Sequence, residues 1–140
     1  MLSRYRIVRG RRPPDEPLPE GERVVRVDIR KHVRHVLAPD PHDVAAYLVD
    51  PADPARFAAF RAAYLRRLEE RYEATPDAFV EIAERARRHD VYLGCSCPTR
   101  KQPDVSRCHT VLALRFFAQR FEDLEVRFPE EAASGRAPRG

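Results

Sequence analysis

The chain has 140 residues, 26 basic and 22 acidic side chains, a net charge of +4 and 43% apolar content, the size of one domain with enough apolar residues for one core. No stretch approaches the ~18 consecutive apolar residues of a membrane helix. The first residues, MLSRYRIVRGRRPP, lack the apolar run of a secretory signal, so a soluble, cytoplasmic protein without a membrane partner is expected.

The charge is unevenly spread. Arg4, Arg6, Arg9, Arg11 and Arg12 fall in the first fourteen residues with no acid among them, and the rest of the chain is near neutral. Phosphate-backbone binding needs basic groups gathered on one face, so a nucleic-acid partner ranks below other readings. Lys31 and Lys101 are the only lysines beside 24 arginines, a bias that accompanies many alanines and prolines and suits a GC-rich coding sequence.

Residues 5–8 read as a short first strand, followed by a Pro- and Gly-rich exposed loop over 10–22. Residues 23–29, RVVRVDI, place Val24, Val25, Val27 and Ile29 in a β-branched run typical of a buried strand, with Asp28 and Arg30 at its carboxyl end. A short helix over 41–49 carries Val44, Leu48 and Val49. Asp53-Pro54 joins an N-cap acceptor to a proline at the first helical position. The helix that it starts runs to about residue 72, and its Phe57, Phe60, Tyr64 and Leu68 form one apolar stripe.

Thr75-Pro76 repeats the start signal for a helix to residue 88, with Phe79, Ile82, Ala83 and Ala86 in period. Residues 91–95 form a short apolar strand, and Pro98 and Pro103 break up the loop 96–106. The helix 108–121 is apolar around nearly its whole circumference, so it must be covered on both sides, by its own chain or by a second copy in a homodimer. A last strand over 124–128 ends a single domain, 1–128, and the tail 129–140 has nothing to bury and reads as disordered.

Strand, loop, helix, strand is a βαβ unit, in which the strands run parallel with a right-handed crossover. The expected fold is α/β, a small and mostly parallel sheet flanked by helices. Ligands of such sheets sit beyond the carboxyl ends of the strands and beside helix amino termini. Cys95 and Cys97 fall at the first place, Cys108 and His109 at the second.

These four residues span fifteen positions and include every cysteine of the chain. Thiolates and imidazoles are zinc ligands, which makes Cys95, Cys97, Cys108 and His109 candidate metal ligands, with zinc as the candidate cofactor. Neighbours on a helix point about 100° apart, so Cys108 and His109 can share a metal only if the helix begins at or after them. A thiol reading competes: Cys108 at a helix amino terminus, beside Arg107 and His109, would be a candidate nucleophile with His109 as its catalytic partner, and Cys95 or Cys97 could resolve it into a disulfide. A phosphatase loop is excluded, because Cys95 and Arg100 leave four intervening residues where five are needed, and no Cys-x-x-Cys is present. Plain packing under the loop is the third reading. Asp28, Arg30 and Arg107 are candidate ligand-binding residues for a small molecule or nucleotide, with an ordinary ion pair as the alternative for the first two.

The run LGCSCP and the later CHTVLA resemble the strand-end Cys-x-Cys and Cys-His pattern of an uncharacterised family, domain of unknown function four-three-two-six. They also resemble the YeaO-like family, domain of unknown function four-eight-eight, in which a strand-end Cys-x-Glu precedes Cys-His-Arg. FAAFRAAYLRRL is similar to the Phe-Arg-x-x-Tyr helix of the YeaO-like group, and RVVRVDIR to its second strand. The resemblance spans residues 23–121 and implies a small α/β fold with a site at Cys95, Cys97, Cys108 and His109, Cys97 taking the place of the glutamate. The chain departs from the YeaO-like group in having KHVR for Trp-Pro-Arg-Gly and Thr110 for the arginine after Cys-His.

Overall fold

The computed structural model describes residues 1–8 and 24–129. Strands β1 (Leu2–Arg6), β2 (Val24–Asp28) and β3 (Asp90–Cys95) form a parallel sheet in the order β1-β3-β2. Helices α1 (Pro41–Leu48), α2 (Pro54–Ala74) and α3 (Pro76–Arg88) connect β2 to β3, and a turn of 3-10 helix (Val105–Arg107) leads into α4 (His109–Arg120). This is the small α/β fold expected from the sequence.

The helix boundaries follow from their caps. Asp40 accepts from the backbone N–H groups of His42 and Asp43, Asp53 accepts from Ala55, and each helix of this run begins on a proline whose missing N–H costs nothing at that position. Thr75 ends α2 through its N–H to the Arg71 carbonyl, 2.7 Å, and Pro76 then prevents continuation and starts α3.

Leu2 and Val25 both stand opposite Val91, and Val27 stands opposite Leu93, which puts one file of apolar side chains across the sheet. With it pack Phe60, Tyr64 and Leu68 of α2, Phe79 of α3, and Leu114 and Phe117 of α4 in one core. Val111, Ala113, Leu114 and Phe117 are fully buried, and α4 lies against α2, β1 and β3, so its apolar circumference is covered by its own chain without a second copy. Gly94 permits a close approach in β3. A Cβ there would lie 2.7 Å from Tyr5 Cε1 and 2.9 Å from Ile7 Cδ1.

Two elements differ from expectation. The first strand begins at Leu2, three residues ahead of the predicted start, because Arg4 occupies a sheet position on the helix side where the pattern suggests an apolar residue. The last strand shrinks to one parallel bridge between Val126 and Leu2, held by Leu2 N–H to the Glu125 carbonyl and Arg127 N–H to the Leu2 carbonyl, both 2.9 Å. The crossover from β3 through α4 is therefore parallel as expected but lands beyond β1. The loop 10–22 and the tail from residue 130 onward lie outside the described residues.

Between β2 and α1 the chain turns at His35, whose Nδ1 accepts from the Leu37 N–H at 3.0 Å. Burial holds His35 below its usual value and Arg71 acts in the same direction, against the pull of Asp28. A depressed histidine binds its proton more readily in the unfolded chain, so its stabilising contribution is full above about pH 6.5 and is lost as pH falls from there through the folded value. The urea midpoint should therefore drop between pH 7.5 and 5.5, and His35→Gln should flatten that drop. An unchanged slope in the variant would assign the acid sensitivity to other groups.

Candidate metal centre

β3 delivers Cys95 to its carboxyl end, and the chain then doubles back through Ser96, Cys97 and a cis Cys97-Pro98 peptide. Reciprocal bonds between Thr99 and Gln102, Thr99 N–H to the Gln102 carbonyl at 2.9 Å and Gln102 N–H to Thr99 Oγ1 at 3.0 Å, close the loop. Asp104 caps the 3-10 turn by accepting from the Ser106 N–H at 3.0 Å. That turn ends on Cys108, whose extended backbone, φ −74° and ψ 145°, makes it the N-cap of α4. The helix thus begins at His109, so Cys108 and His109 escape the 100° divergence that would separate them inside a helix.

The thiol sulfurs of Cys95, Cys97 and Cys108 all lie within 4.8 Å of one another, close enough to hold one metal ion. His109 Nδ1 is 3.9 Å from Cys95 Sγ and 3.9 Å from Cys108 Sγ. Its Nε2 lies 2.7 Å from the Ile29 carbonyl, an acceptor only, so Nε2 carries the proton and Nδ1 is turned to the sulfurs. The imidazole is further held edge-on by Tyr64, 5.6 Å between centroids at 82°, and the Tyr64 hydroxyl donates to the Leu37 carbonyl at 2.7 Å. Cys108 and His109 are 2% and 6% exposed, whereas Cys97 is half-buried.

Burial alone would push the Cys108 thiol up. Hydrogen bonds from Cys95 and Cys97 and the adjacent His109 outweigh it and hold Cys108 well below the usual thiol range. For His109, burial acts downward, but the facing Cys108 thiolate and the contact with Cys95 raise the imidazole to about 10. Cys97 is pushed upward, chiefly by its contacts to Cys108 and Cys95 and then by burial. Negative charge therefore gathers on the most enclosed sulfur, beside a group able to balance it.

Two residues outside the predicted set complete this arrangement. Thr110 donates its hydroxyl to Cys108 Sγ at 3.1 Å, and Arg4 donates to Thr110 Oγ1 at 2.8 Å and to the Cys97 carbonyl at 2.6 Å. Arg4, counted in the sequence as part of a basic amino-terminal stretch, is thus turned inward. Its one sequence signal was a charged residue inside a strand, and a strand start placed at residue 5 hides it.

Of the candidate ligand-binding residues, Asp28 and Arg30 pair with each other, Arg30 Nη2 to Asp28 Oδ2 at 2.7 Å and Arg30 Nε to Asp28 Oδ1 at 3.0 Å. The Asp28 carboxyl lies below its usual value: burial pushes it up, and the hydrogen bonds from Arg30 outweigh this. Arg30 and Arg107, with the three cysteines and His109, line a cavity of about 250 Å³, while Asp28 stands outside that lining. Arg107 is anchored by a bond to the Pro51 carbonyl, 2.9 Å, and lies over the Phe57 ring at 5.1 Å. Among the described residues no helix is long and apolar enough to cross a membrane. Set against known proteins, the chain matches no family model, no curated protein and no solved structure.

Proposed function

We propose that this chain is a metal-binding α/β protein in which Cys95, Cys97, Cys108 and Nδ1 of His109 hold one zinc ion. The metal pins the loop 96–107 to the head of α4, and with it one wall of the cavity. The observation that carries this reading is the convergence of three sulfurs within 4.8 Å, with an imidazole nitrogen 3.9 Å from two of them that has no other partner among the described residues, its opposite N–H tied to a backbone carbonyl. Zinc–sulfur bonds of about 2.3 Å and zinc–nitrogen bonds of about 2.0 Å set tetrahedral ligand atoms roughly 3.5 to 3.8 Å apart, so the three sulfurs among themselves, and the imidazole relative to Cys95 and Cys108, need side-chain shifts of about 1 Å. A carbonyl on the second imidazole nitrogen is the usual outer partner of a metal-bound histidine, and a Cys3His set favours zinc among divalent ions. Four protein ligands leave no open position, which makes the proposed role structural. The likeness of LGCSCP and CHTVLA to the two uncharacterised families accords with this reading and adds no activity to it.

One observation favours a second reading. Cys108 caps α4 beside His109 and is held low, as a nucleophilic thiolate would be. Its burial weighs against that role, since reactive thiols are partly exposed, and here the most accessible sulfur, Cys97, is the one pushed upward.

Elemental analysis of protein purified without a metal-affinity tag separates the two. About one zinc per chain, with thiols that alkylate only after a chelator is added, is the expected result. Metal-free protein whose Cys108 alkylates first and fast would overturn the metal reading in favour of the thiol.

A further inference from the structure

The three cysteines share their cavity of about 250 Å³ with the two lysines of the chain, which both line it. In a chain with 24 arginines, a generic cationic position is filled by arginine. Lysine stands only at residues 31 and 101, seventy residues apart in sequence and both lining one cavity. The two side chains differ physically: an ammonium is a compact, mobile point charge with three donors, whereas a guanidinium is a planar fork.

The charges around the cavity are not equivalent. Arg30 is committed to Asp28, and Arg107 to the Pro51 carbonyl and the Phe57 ring. Lys31 and Lys101 are exposed and have no ion pair among the described residues, and no described carboxylate lines the cavity. Free positive charge thus faces a cavity whose described lining holds no carboxylate, its anionic group being the buried sulfur cluster at Cys108. The lining also includes the aromatic side chains of Tyr47 and Phe60, whose rings stack at 5.4 Å and 23°.

We propose that this cavity binds a small organic anion, an apolar and preferably aromatic body carrying one phosphate or carboxylate, with Lys31 and Lys101 holding the anionic group and Tyr47 and Phe60 the body. At about 250 Å³ the space is just below the ~300 to 1,000 Å³ of ordinary ligand pockets, which suits a single small ring with one charged group. Charge-assisted hydrogen bonds to the ammonium groups supply orientation, and burial of the body supplies most of the driving force.

Calorimetric titration of the full chain at low salt with phenyl phosphate, benzoate, benzyl alcohol and inorganic phosphate tests this. Phenyl phosphate or benzoate should bind about tenfold or more tightly than either the neutral alcohol or inorganic phosphate, since each lost charged contact costs about a factor of ten. The better of the two anions identifies the head group. Lys31→Ala with Lys101→Ala should weaken it by about tenfold or more at unchanged far-ultraviolet circular dichroism. As a check that needs no variant, its affinity in the unmodified protein should fall with added sodium chloride while that of benzyl alcohol does not. Anions that bind no better than benzyl alcohol, or a double variant that binds them equally well, would overturn the proposal. Because the probes read the cavity and elemental analysis reads the sulfurs, a metal-free chain with lysine-dependent binding sinks only the zinc reading. A zinc-loaded chain with no preference for the anions sinks only this one.

Discussion

Cys108→Ser should abolish metal loading and lower stability by about 3 kcal/mol or more, the largest single-residue loss expected outside the apolar core. The sulfur removed is 2% exposed and touches Cys95, Cys97, His109 and Thr110, so its loss leaves the remaining donors with an incomplete set. Structural zinc sites supply about 10 to 16 kcal/mol of binding free energy in small peptides. Here the loss is smaller, because Leu2, Val91, Leu93 and their helical partners form a core that includes none of the four proposed donors. The variant should keep its helical circular dichroism and lose order in the loop 96–107, seen as faster amide exchange there. Chelator added to the unsubstituted protein should reproduce the fall in melting temperature. If chelator leaves the melt unchanged and Cys108→Ser costs only about 1 kcal/mol, the cysteine is a packed thiol and no more.

Phe79→Ala should cost about 3 to 5 kcal/mol without touching the metal centre. Phe79 is fully buried on α3 and meets Tyr72 of α2 at 5.3 Å and 81°, Phe116 of α4 at 5.6 Å, and Phe117 at 6.0 Å. Truncation removes the ring that three helices share and leaves a cavity that rigid neighbours fill only in part. For a domain of this size the melting temperature should fall by roughly 10 to 20 °C. Phe79 lines no part of the cavity near the sulfurs, so the folded protein should retain its full metal content. A drop of only a few degrees would mean that the aromatic cluster repacks. Loss of metal from the still-folded variant would mean that the core and the site are coupled.

The helices were legible because their signals are local. Asp53-Pro54 and Thr75-Pro76 carry their own start chemistry, and the stripe Phe57, Phe60, Tyr64 and Leu68 faces inward as its spacing requires. β2 and β3 were legible from β-branched and apolar runs. β1 was misplaced because its helix-side file contains Arg4 and Arg6, and a charge in a strand is explained only by a partner more than a hundred residues away, here Thr110. The final strand was overread because Leu124 to Phe128 has the alternation of a strand, whereas the edge of β1 pairs with it only at Leu2. At the site, the four sulfur and nitrogen donors were visible as types at a spacing. Their outer support, the Ile29 carbonyl, Thr110 and Arg4, was not, because main-chain acceptors and long-range partners leave no local pattern. The cavity lies where a ligand was expected from the strand ends, and Arg30 and Arg107 line it, but Lys31 and Lys101 carried no signal that would join them to it.

All four proposed donors fall within residues 95–109, although the groups that brace them come from β1 and the end of β2. Closing so short a span of chain costs little entropy, and the cost grows only slowly with length. Under the proposed metal reading, an emerging or denatured polypeptide would capture the ion before the sheet exists, with the loop tied first and tertiary assembly following. Because the denatured ensemble then competes for the same ion, the stabilisation measured at equilibrium falls short of the intrinsic affinity of the native site. Refolding with metal present from the start should consequently outpace refolding with metal added afterwards.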